Sequence, residues 1–507
     1  MKATRPVPSD CLGDRMKHLE SLREYIENLK EIGEIQEINR EVDWDLEIGG
    51  VIKRSYDLRA PAPLFNNIKG IESGFRVFGA PAGMSRQKGL EFARVALSMG
   101  MPANSTGPEI VNSLSRACDR GLIPPKTVSS CPCKENILIS DKVDLYRFPV
   151  PLIHKDDGGR YINTWGIVIA QTPDKRWTNW SINRVMITGK NTMTGTGFGG
   201  QHLGIIYNQW KEIREPMPFA VAMGVEPAIP FVGGMPLPDN VSEPEFIGGY
   251  LGEPVKVTLC ETVDLEVPAT SEIVIEGTVH LEEKAKEGPM GEYTGYLCKG
   301  ESSFQPVYQA SAITYRDAPI LPVVAAGEPI EENHTCWGIA IAAEVMAELR
   351  RHNFPVARCF IPFESAVHWL VVTVDKSYRG NFSGKELVLR LAGIFFPSKA
   401  GILLSKVFLL DDDIDPSNIN EVVWAFASRA HPEKGHISFP DQPPFPLQLF
   451  VTPEEKASKK STKVIYNCLY PDDLAEEQIP RRLSLKNLCG EPMKKKILAE
   501  WQNYGYE

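Results

Sequence analysis

The stretch "EPVKVTLCETVDLEVPATSEIVIEGTV", Glu253 to Val279, decides the fold class of the middle of this chain. Its last two-thirds alternates apolar and polar residues, which is the pattern of strands that bury one face. The stretches "YINTWGIVIAQ" (161–171) and "MPFAVAMGV" (217–225) also predict strands. The sequence therefore predicts a β-rich central domain with helices attached.

The flanking segments predict helices and an α/β arrangement. "LESLREYIENLKEIGEIQEI" (19–38) has apolar residues at three- and four-residue steps, so we expect an amphipathic helix, with a stop signal at Gly33. After "PPKTVSSCPCKEN" (124–136), a plausible domain boundary, the strands begin. Beyond them, "TCWGIAIAAEVMAELRRHNF" (335–354) predicts a long buried helix, and strands then alternate with helices. We expect an α/β (α+β) protein divided at 1–125, 126–332 and 333–507.

Composition excludes several classes of protein. The net charge of -10 over 507 residues argues against a nucleic-acid-binding surface. No apolar stretch approaches the length of a membrane span, so no membrane partner is expected. "MKATRPVPSDCLGDR" (1–15) has no apolar core of a secretory signal and predicts a loose arm. The ten scattered cysteines suit reduced thiols in a cytoplasmic protein, with Cys131 and Cys133 as a redox or metal pair the minor alternative.

Two carboxylates flank a turn in "EGPMGEYTGY" (287–296). Glu287 and Glu292 are five residues apart, an interval that suits neither a helix face nor a strand face. The glycines and Pro289 between them favour a loop that folds both carboxylates toward one point. Paired carboxylates are a common arrangement for proton transfer. A solvated surface turn is the alternative.

A second set of polar residues has the chemistry of hard metal ligands. Asn179, His202 and Glu243 would form an N/O ligand set, which suits Mn²⁺ or Mg²⁺ shared with a phosphate better than a closed zinc site. Lys399 in "FFPSKAG" could meet the same phosphate. A structural histidine and an exposed lysine are the alternatives. The acid run "DDDID" (411–415) is more simply a solvated strand end than a metal site.

The ordered series "NWSINR…GQH…PDNVSE…EGPMGEYTGY…ENHT…FPSKAG" resembles the UbiD family of decarboxylases over almost the whole chain. The resemblance implies a central split-β-barrel-like domain that binds prenylated FMN and a C-terminal α/β dimerisation domain. It also implies Mn²⁺ at the cofactor phosphate, K⁺ beside it, and a flavin prenyltransferase as the cofactor's supplier.

The resemblance also implies roles for individual residues. Arg184, Glu287 and Glu292 match a catalytic Glu-Arg-Glu network, with Glu292 as the proton donor and Arg184 orienting the substrate carboxylate. The resemblance implies that the Mn²⁺ ligands are Asn179, His202 and Glu243. The positions that match contacts with the flavin or its phosphate are Ser181, Ile182, Arg184, Gln201, Met235 and Lys399. The positions that match the K⁺ site are Trp180, Val232, Gly233, Met235 and Glu243.

Departures from the ferulate branch of that family predict the substrate. Tyr293 and Trp337 are larger than their counterparts there, which predicts a shorter pocket. His431 resembles a histidine of the hydroxybenzoate branch and could interact with a ring hydroxyl; alternatively it caps a helix end. We expect a reversible decarboxylase that releases CO₂ from a hydroxybenzoic acid such as protocatechuate or gallate. A heteroaromatic or cinnamic-type acid is the alternative.

Two other classes of function and an assembly follow from the same residues. A catalytically inactive flavin-binding subunit would be favoured if Arg184, Glu287 or Glu292 were missing, and all three are present. A plain FMN oxidoreductase would not need them. The apolar helix at 336–349 looks too hydrophobic to be exposed, so it predicts a homodimer, with a hexamer as the alternative.

Overall fold

The computed structural model of the protein describes residues 18–117, 119–297 and 302–506. The predicted N-terminal arm lies outside these residues. In the described part of the chain, no helix combines the length and the hydropathy required to cross a bilayer.

The N-terminal part is a small mixed layer of helices and strands. Strands β1, β2 and β3 form a four-stranded sheet with a later strand, β16, in the order β1-β2-β3-β16. The helix predicted within 19–38 spans Leu22–Glu31, and the predicted stop at Gly33 is confirmed, because Gly33 adopts a positive φ of 74° and the chain then pairs as β1. The elements are α1 (Leu22–Glu31), β1 (Ile35–Ile38), α2 (Glu47–Asp57), β2 (Ala62–Phe65), β3 (Arg76–Gly79), α3 (Ala93–Ser98) and α4 (Gly107–Ala117).

The central part is a nine-stranded sheet, with a small three-stranded sheet beside it. The large sheet runs β6-β9-β10-β15-β14-β11-β7-β8, with β5 also pairing with β15, and it curls into a half-barrel. The elements are β4 (Lys126–Thr127), β5 (Asn136–Ile139), β6 (Tyr161–Asn163), β7 (Gly166–Gln171), β8 (Thr178–Ser181), β9 (Val185–Ile187), β10 (Thr192–Gly195), α5 (His202–Glu212), β11 (Met217–Met223), α6 (Ala228–Gly233), α7 (Glu243–Leu251), β12 (Lys256–Leu259), β13 (Glu266–Pro268), β14 (Ile273–Glu287), β15 (Ser303–Tyr315) and β16 (Ile320–Val323).

The C-terminal part packs helices on a five-stranded sheet of order β17-β18-β19-β21-β20. Its central pairs, β18 with β19 and β19 with β21, are parallel, as the alternation of strands and helices predicted. The elements are α8 (Glu332–Arg351), β17 (Val356–Phe360), β18 (Trp369–Val374), α9 (Gly384–Phe395), α10 (Lys399–Leu403), β19 (Lys406–Asp411), α11 (Ile419–Arg429), β20 (His436–Gln442), α12 (Pro453–Ser458), β21 (Ser461–Cys468) and α13 (Leu485–Ala499).

Helix α8 corrects the argument for a dimer. The residues from Cys336 to Leu349 are apolar because the helix is packed inside this chain, where Ile339 and Leu349 are completely buried. The buried apolar face of the helix is therefore not available to a second copy. Exposed apolar side chains occur instead on α13, where Leu488 is 69% exposed.

The acid run is engaged by contacts within the fold, and the two neighbouring cysteines are unbonded. Asp413 in the acid run pairs with Arg429 at 2.7 Å, and Asp411 accepts the N–H of Tyr470. Cys131 and Cys133 are free thiols with 3.5 Å between their Sγ atoms.

Candidate active site

Strand β14 ends at Glu287, and the turn that follows carries Glu292 back to the same arginine. Arg184, just before β9, donates from Nε and Nη2 to the two Glu287 oxygens at 2.9 and 3.0 Å. Its Nη1 donates to Glu292 Oε1. We call Arg184, Glu287 and Glu292 the acid–arginine cluster. The loop geometry expected from the sequence thus brings both carboxylates to one guanidinium.

The two carboxylates differ in their surroundings. Glu287 is 1% exposed and also accepts the hydroxyl hydrogen of Tyr161 at 2.9 Å, whereas the side chain of Glu292 is 17% exposed. Burial lowers the pKa of Arg184, but the charges of Glu292 and Glu287 outweigh burial and raise it above its ordinary value. The guanidinium therefore stays charged, and Glu292 is the more solvent-exposed of the two carboxyl groups.

Asn179, His202 and Glu243, here called the ligand cluster, come from three elements that meet beside strand β8. Asn179 lies in β8, while His202 and Glu243 are the first residues of α5 and α7. The Nδ1 of His202 is 3.8 Å from Glu243 Oε1, and the other Glu243 oxygen accepts the N–H of Trp180 at 2.8 Å. Burial raises the pKa of Glu243, and contacts with His202 and Trp180 oppose that rise.

The ligand cluster fits a hard cation on one further observation. Asn179 donates from Nδ2 to Ser181 Oγ at 3.0 Å, which fixes its amide, and its buried Oδ1 has no hydrogen-bond partner in the described part of the chain. A buried amide oxygen without a donor is a ligand that Mn²⁺ or Mg²⁺ accepts. Among the described residues, no group of three or more His, Cys, Asp or Glu is arranged so that it could hold a metal ion; the third member of the ligand cluster is an asparagine.

The residues expected along the flavin and around K⁺ surround the ligand cluster. Lys399 donates to Leu237 O at 3.0 Å and to Asp239, and it also touches His202. Ser181 donates to Asn183, whose amide is 3.5 Å from Gln201. The other residues expected at the flavin and at K⁺ lie on or next to α6. Ile182 N–H donates to Gly233 O at the end of this helix, and Met235 N–H donates to Val232 O.

The aromatic residues expected in the substrate pocket split into two groups. Tyr293 and Trp337 form an edge-to-face pair with ring centroids 5.1 Å apart. A Cβ on Gly234 would lie 3.1 Å from the Trp337 ring, so this ring reaches the loop before Met235. His431 instead lies exposed after α11, where its Nδ1 accepts the N–H groups of Glu433 and Lys434 at 3.1 Å each.

Sequence reasoning missed several residues that hold the site. Tyr161 and Asp239 contact the two clusters, and His334 donates from Nε2 to the carbonyl of Tyr293 at 2.7 Å. His154 and Asp157 contact the turn that carries Glu292. Their only sequence signal is position: in "HKDDGGRYINTW" (154–165) they lie immediately before strand β6.

Comparison with known proteins places the chain in a family. Residues 126–329 match the family model described as "3-octaprenyl-4-hydroxybenzoate carboxy-lyase Rift-related domain", and residues 26–114 and 334–468 match the N- and C-terminal domain models of the same enzyme. The chain belongs to the UbiD family. As a UbiD-family carboxy-lyase, it is an aromatic acid decarboxylase.

Individual UbiD relatives match along nearly their whole length. The pyrrole-2-carboxylic acid decarboxylase of Pseudomonas aeruginosa is 39% identical over 96% of this chain and 98% of its own. Ferulic acid decarboxylase 1 of Saccharomyces cerevisiae is 37% identical with the same coverage. The UbiD-class enzyme HmfF from Pelotomaculum thermopropionicum, solved in complex with FMN, is 26% identical and superposes with a TM-score of 0.80 over 93% of this chain and 99% of that one.

Proposed function

We propose that this enzyme uses prenylated FMN to decarboxylate an aromatic acid whose carboxylate is bonded directly to a compact ring. The observation that carries the proposal is the contact of Glu287 and Glu292 with one guanidinium, next to the Tyr293–Trp337 pair. A flavin-binding subunit without activity would not need this charge arrangement. A plain FMN oxidoreductase would not need it either.

The ligand cluster would hold Mn²⁺ at the cofactor phosphate. His202 and Glu243 start helices of eleven and nine residues, and the partial positive charge of such helix N-termini favours a phosphate. Lys399 adds a full positive charge beside them. Ser181, Ile182, Gln201 and Met235 would line the flavin, as the sequence predicted. Trp180, Val232, Gly233, Met235 and Glu243 would hold K⁺.

The acid–arginine cluster would orient the acid and deliver a proton. The prenylated flavin, when bound, supplies the electron sink for loss of CO₂. Arg184 would bind the substrate carboxylate, which adds a third negative charge beside a single guanidinium. That charge balance favours a proton on Glu292, which is more exposed than Glu287. Glu292 then gives this proton to the ring carbon that CO₂ leaves.

The aromatic pair would set the depth of the substrate pocket. Tyr293 follows Glu292 in sequence and is 5% exposed, and Trp337 packs against it from α8. A cinnamate holds its carboxylate two carbons farther from the ring, so its ring would run into these side chains. A ring-attached carboxylate keeps the ring near the flavin and clear of them.

Within this class, a hydroxybenzoate such as protocatechuate or gallate is the first candidate. An electron-rich ring loses its aromaticity in the reaction more easily, and His431 would have to approach from the loop after α11 to meet a ring hydroxyl. A heteroaromatic acid is the second candidate. The 39%-identical relative that acts on pyrrole-2-carboxylate favours it, and so does the engagement of His431 Nδ1 by two backbone N–H groups.

A substrate panel tests the proposal. Enzyme co-expressed with a flavin prenyltransferase is assayed for CO₂ release from protocatechuate, gallate, pyrrole-2-carboxylate, an indole carboxylate and cinnamate, alongside His431→Ala. We expect ring-attached acids to exceed cinnamate by at least about tenfold in kcat/KM. A drop in hydroxybenzoate turnover in His431→Ala supports the first candidate, and an unchanged rate supports the heteroaromatic one. Preference for cinnamate would contradict the proposed pocket.

We also infer a cytoplasmic homodimer that assembles through the C-terminal part. The support is now the exposed apolar surface of α13, including Leu488, and not the buried α8. Light scattering should give twice the mass of the chain at micromolar concentration. Leu488→Glu should shift that equilibrium toward the monomer.

A further inference from the structure

Two backbone hydrogen bonds close the turn between Glu287 and Tyr296 at Glu292 itself. Glu292 N–H donates to Tyr296 O at 3.0 Å, and Gly295 N–H donates to Glu292 O at 3.0 Å. Both hydrogen bonds join Glu292 to residues that follow it in the turn. The part of the turn before it, Gly288 to Gly291, includes a proline without an N–H group. Its position is set by groups from elsewhere in the chain.

Those groups come from residues 154–158, immediately before strand β6. Asp157 Oδ1 accepts the N–H of Gly291 at 2.9 Å, immediately before Glu292. Gly158 N–H donates to Pro289 O at 2.7 Å. Asp157 therefore holds the peptide from which the Glu292 side chain projects.

Asp157 itself is held by a histidine. Its side chain is 0% exposed, and a buried carboxylate requires an opposite charge. His154 Nδ1 lies 3.0 Å from both carboxylate oxygens, and its Nε2 lies 2.7 Å from the carbonyl of Ala326. Both ring nitrogens face acceptors, so both carry hydrogen and the ring is an imidazolium. Burial lowers the pKa of His154, but Asp157, the Ala326 carbonyl and the charge of Glu292 raise it above its ordinary value.

The histidine ring also contacts the turn directly. A Cβ on Gly291 would lie 2.6 Å from the His154 ring, so the glycine packs flat against it. A Cβ on Gly158 would lie 2.2 Å from Gly288 O. Residues 154–158 and 288–291, which are more than 100 residues apart in sequence, are thus in contact immediately before Glu292.

We propose that His154 and Asp157 are positioning residues that fix Glu292 for proton transfer, acting through the Gly291 peptide. The inference rests on the proposed function of Glu292 as the proton donor. A shift of about 1 Å in a reacting group can cost around 100-fold in rate, so a turn released from Asp157 slows the proton step without altering the ligand cluster.

The test uses Asp157→Asn, which keeps the shape but loses the charge, and His154→Gln. His280→Gln is the matched control, because His280 pairs with Glu283 at the same three-residue spacing but on the surface. We expect kcat to fall about 10- to 100-fold in both test variants, with KM within about twofold. Flavin absorbance should equal that of wild type. Exchange of the product's ring hydrogen with D₂O, which reports the proton step alone, should slow in parallel.

The outcomes separate this inference from the proposed function. Turnover by Glu292→Gln near the wild-type rate would refute the proposed donor. Loss of activity in Glu292→Gln together with unchanged kcat and exchange in Asp157→Asn and His154→Gln would refute the positioning pair alone. So would losses in these two variants that merely follow lost flavin.

A measurement on wild-type protein covers the case in which the variants fail to fold. Amide exchange of the unloaded enzyme should show Gly291 N–H exchanging at least about tenfold more slowly than a free turn amide, because Asp157 accepts it. Unprotected exchange at Gly291 would overturn the proposal without any substitution.

Discussion

The acid–arginine cluster and the ligand cluster lie in the same half-barrel, but they satisfy their charges differently. In the acid–arginine cluster, each carboxylate contacts the Arg184 guanidinium, and the Tyr161 hydroxyl donates a further hydrogen bond to Glu287. In the second, buried Glu243 faces a histidine at 3.8 Å, and Asn179 Oδ1 has no hydrogen-bond partner in the described residues. The chain's own side chains therefore satisfy the charges of the acid–arginine cluster, whereas the ligand cluster has the chemistry of a site completed by a cation.

This difference predicts that Glu243→Gln and Glu292→Gln, which both keep the shape of the side chain, impair the enzyme in different ways. Glu243→Gln should have the larger effect. The amide keeps the shape of the side chain but removes the buried anion that would neutralise Mn²⁺. We expect Mn²⁺ affinity to fall at least about tenfold, with flavin loading and turnover lost together. Calorimetric titration with Mn²⁺ and the flavin absorbance measure this. Full flavin occupancy in Glu243→Gln prepared under chelator would contradict the assignment.

Glu292→Gln should slow turnover without affecting flavin binding. The variant removes the proton but leaves the ligand cluster intact, so flavin loading should match wild type while kcat falls at least about 100-fold. Loss of flavin in this variant would show that the two clusters are not independent.

The Tyr293–Trp337 pair allows a test of how the substrate pocket limits the length of the acid. Trp337→Ala should raise the ratio of cinnamate to protocatechuate turnover at least about tenfold, because it removes bulk at the far end of the pocket. The exposed Trp501 provides the control: Trp501→Ala should leave the ratio unchanged. An unchanged ratio in Trp337→Ala would mean that the pair packs the core without limiting the substrate.

The smallest expected effect concerns pH and His334, which holds the carbonyl of Tyr293. Burial lowers the pKa of His334 to about 4, and its Nδ1 accepts the N–H of Glu331, so the folded protein requires the neutral ring. This contribution to the free energy of unfolding is complete above the unfolded pKa of about 6.5 and is lost as pH falls toward 4.

Denaturant unfolding at pH 7 and pH 5 measures that contribution. His334→Gln should lower stability at pH 7, and it should flatten the pH dependence by roughly 1 to 2 kcal/mol over this interval. An unchanged difference between the two pH values would show that His334 does not titrate in this way.

The sequence predicted the parts of this fold that depend on local pattern. Alternation in 253–279 indicated strands β12 and β13 of the small sheet and the start of β14 in the half-barrel, and the apolar run in 335–354 indicated α8. The run could not tell whether a neighbouring element or a second copy buries the helix, since periodicity contains no information about partners. The end of the first helix at Gly33 was predicted, but strand β1 after it was not, because its four residues pair with β2 through contacts formed only in the folded sheet.

The candidate site shows the same limit. Glu287 and Glu292 were found because their turn is local, and the ligand cluster was found through an ordered set of motifs. His154 and Asp157 were missed, since they act on Gly291, more than 130 residues away. His431 illustrates the converse: a motif position places a residue in a loop but does not orient its ring.

We propose above all that this chain decarboxylates a ring-attached aromatic acid with prenylated FMN. The most direct measurement compares CO₂ release from protocatechuate and pyrrole-2-carboxylate by protein made with and without a co-expressed flavin prenyltransferase, with flavin content read from absorbance. We predict turnover of at least one acid only in the co-expressed protein and in proportion to its flavin. Equal turnover without the prenyltransferase, or none by fully loaded protein on any acid of the panel, would contradict the claim.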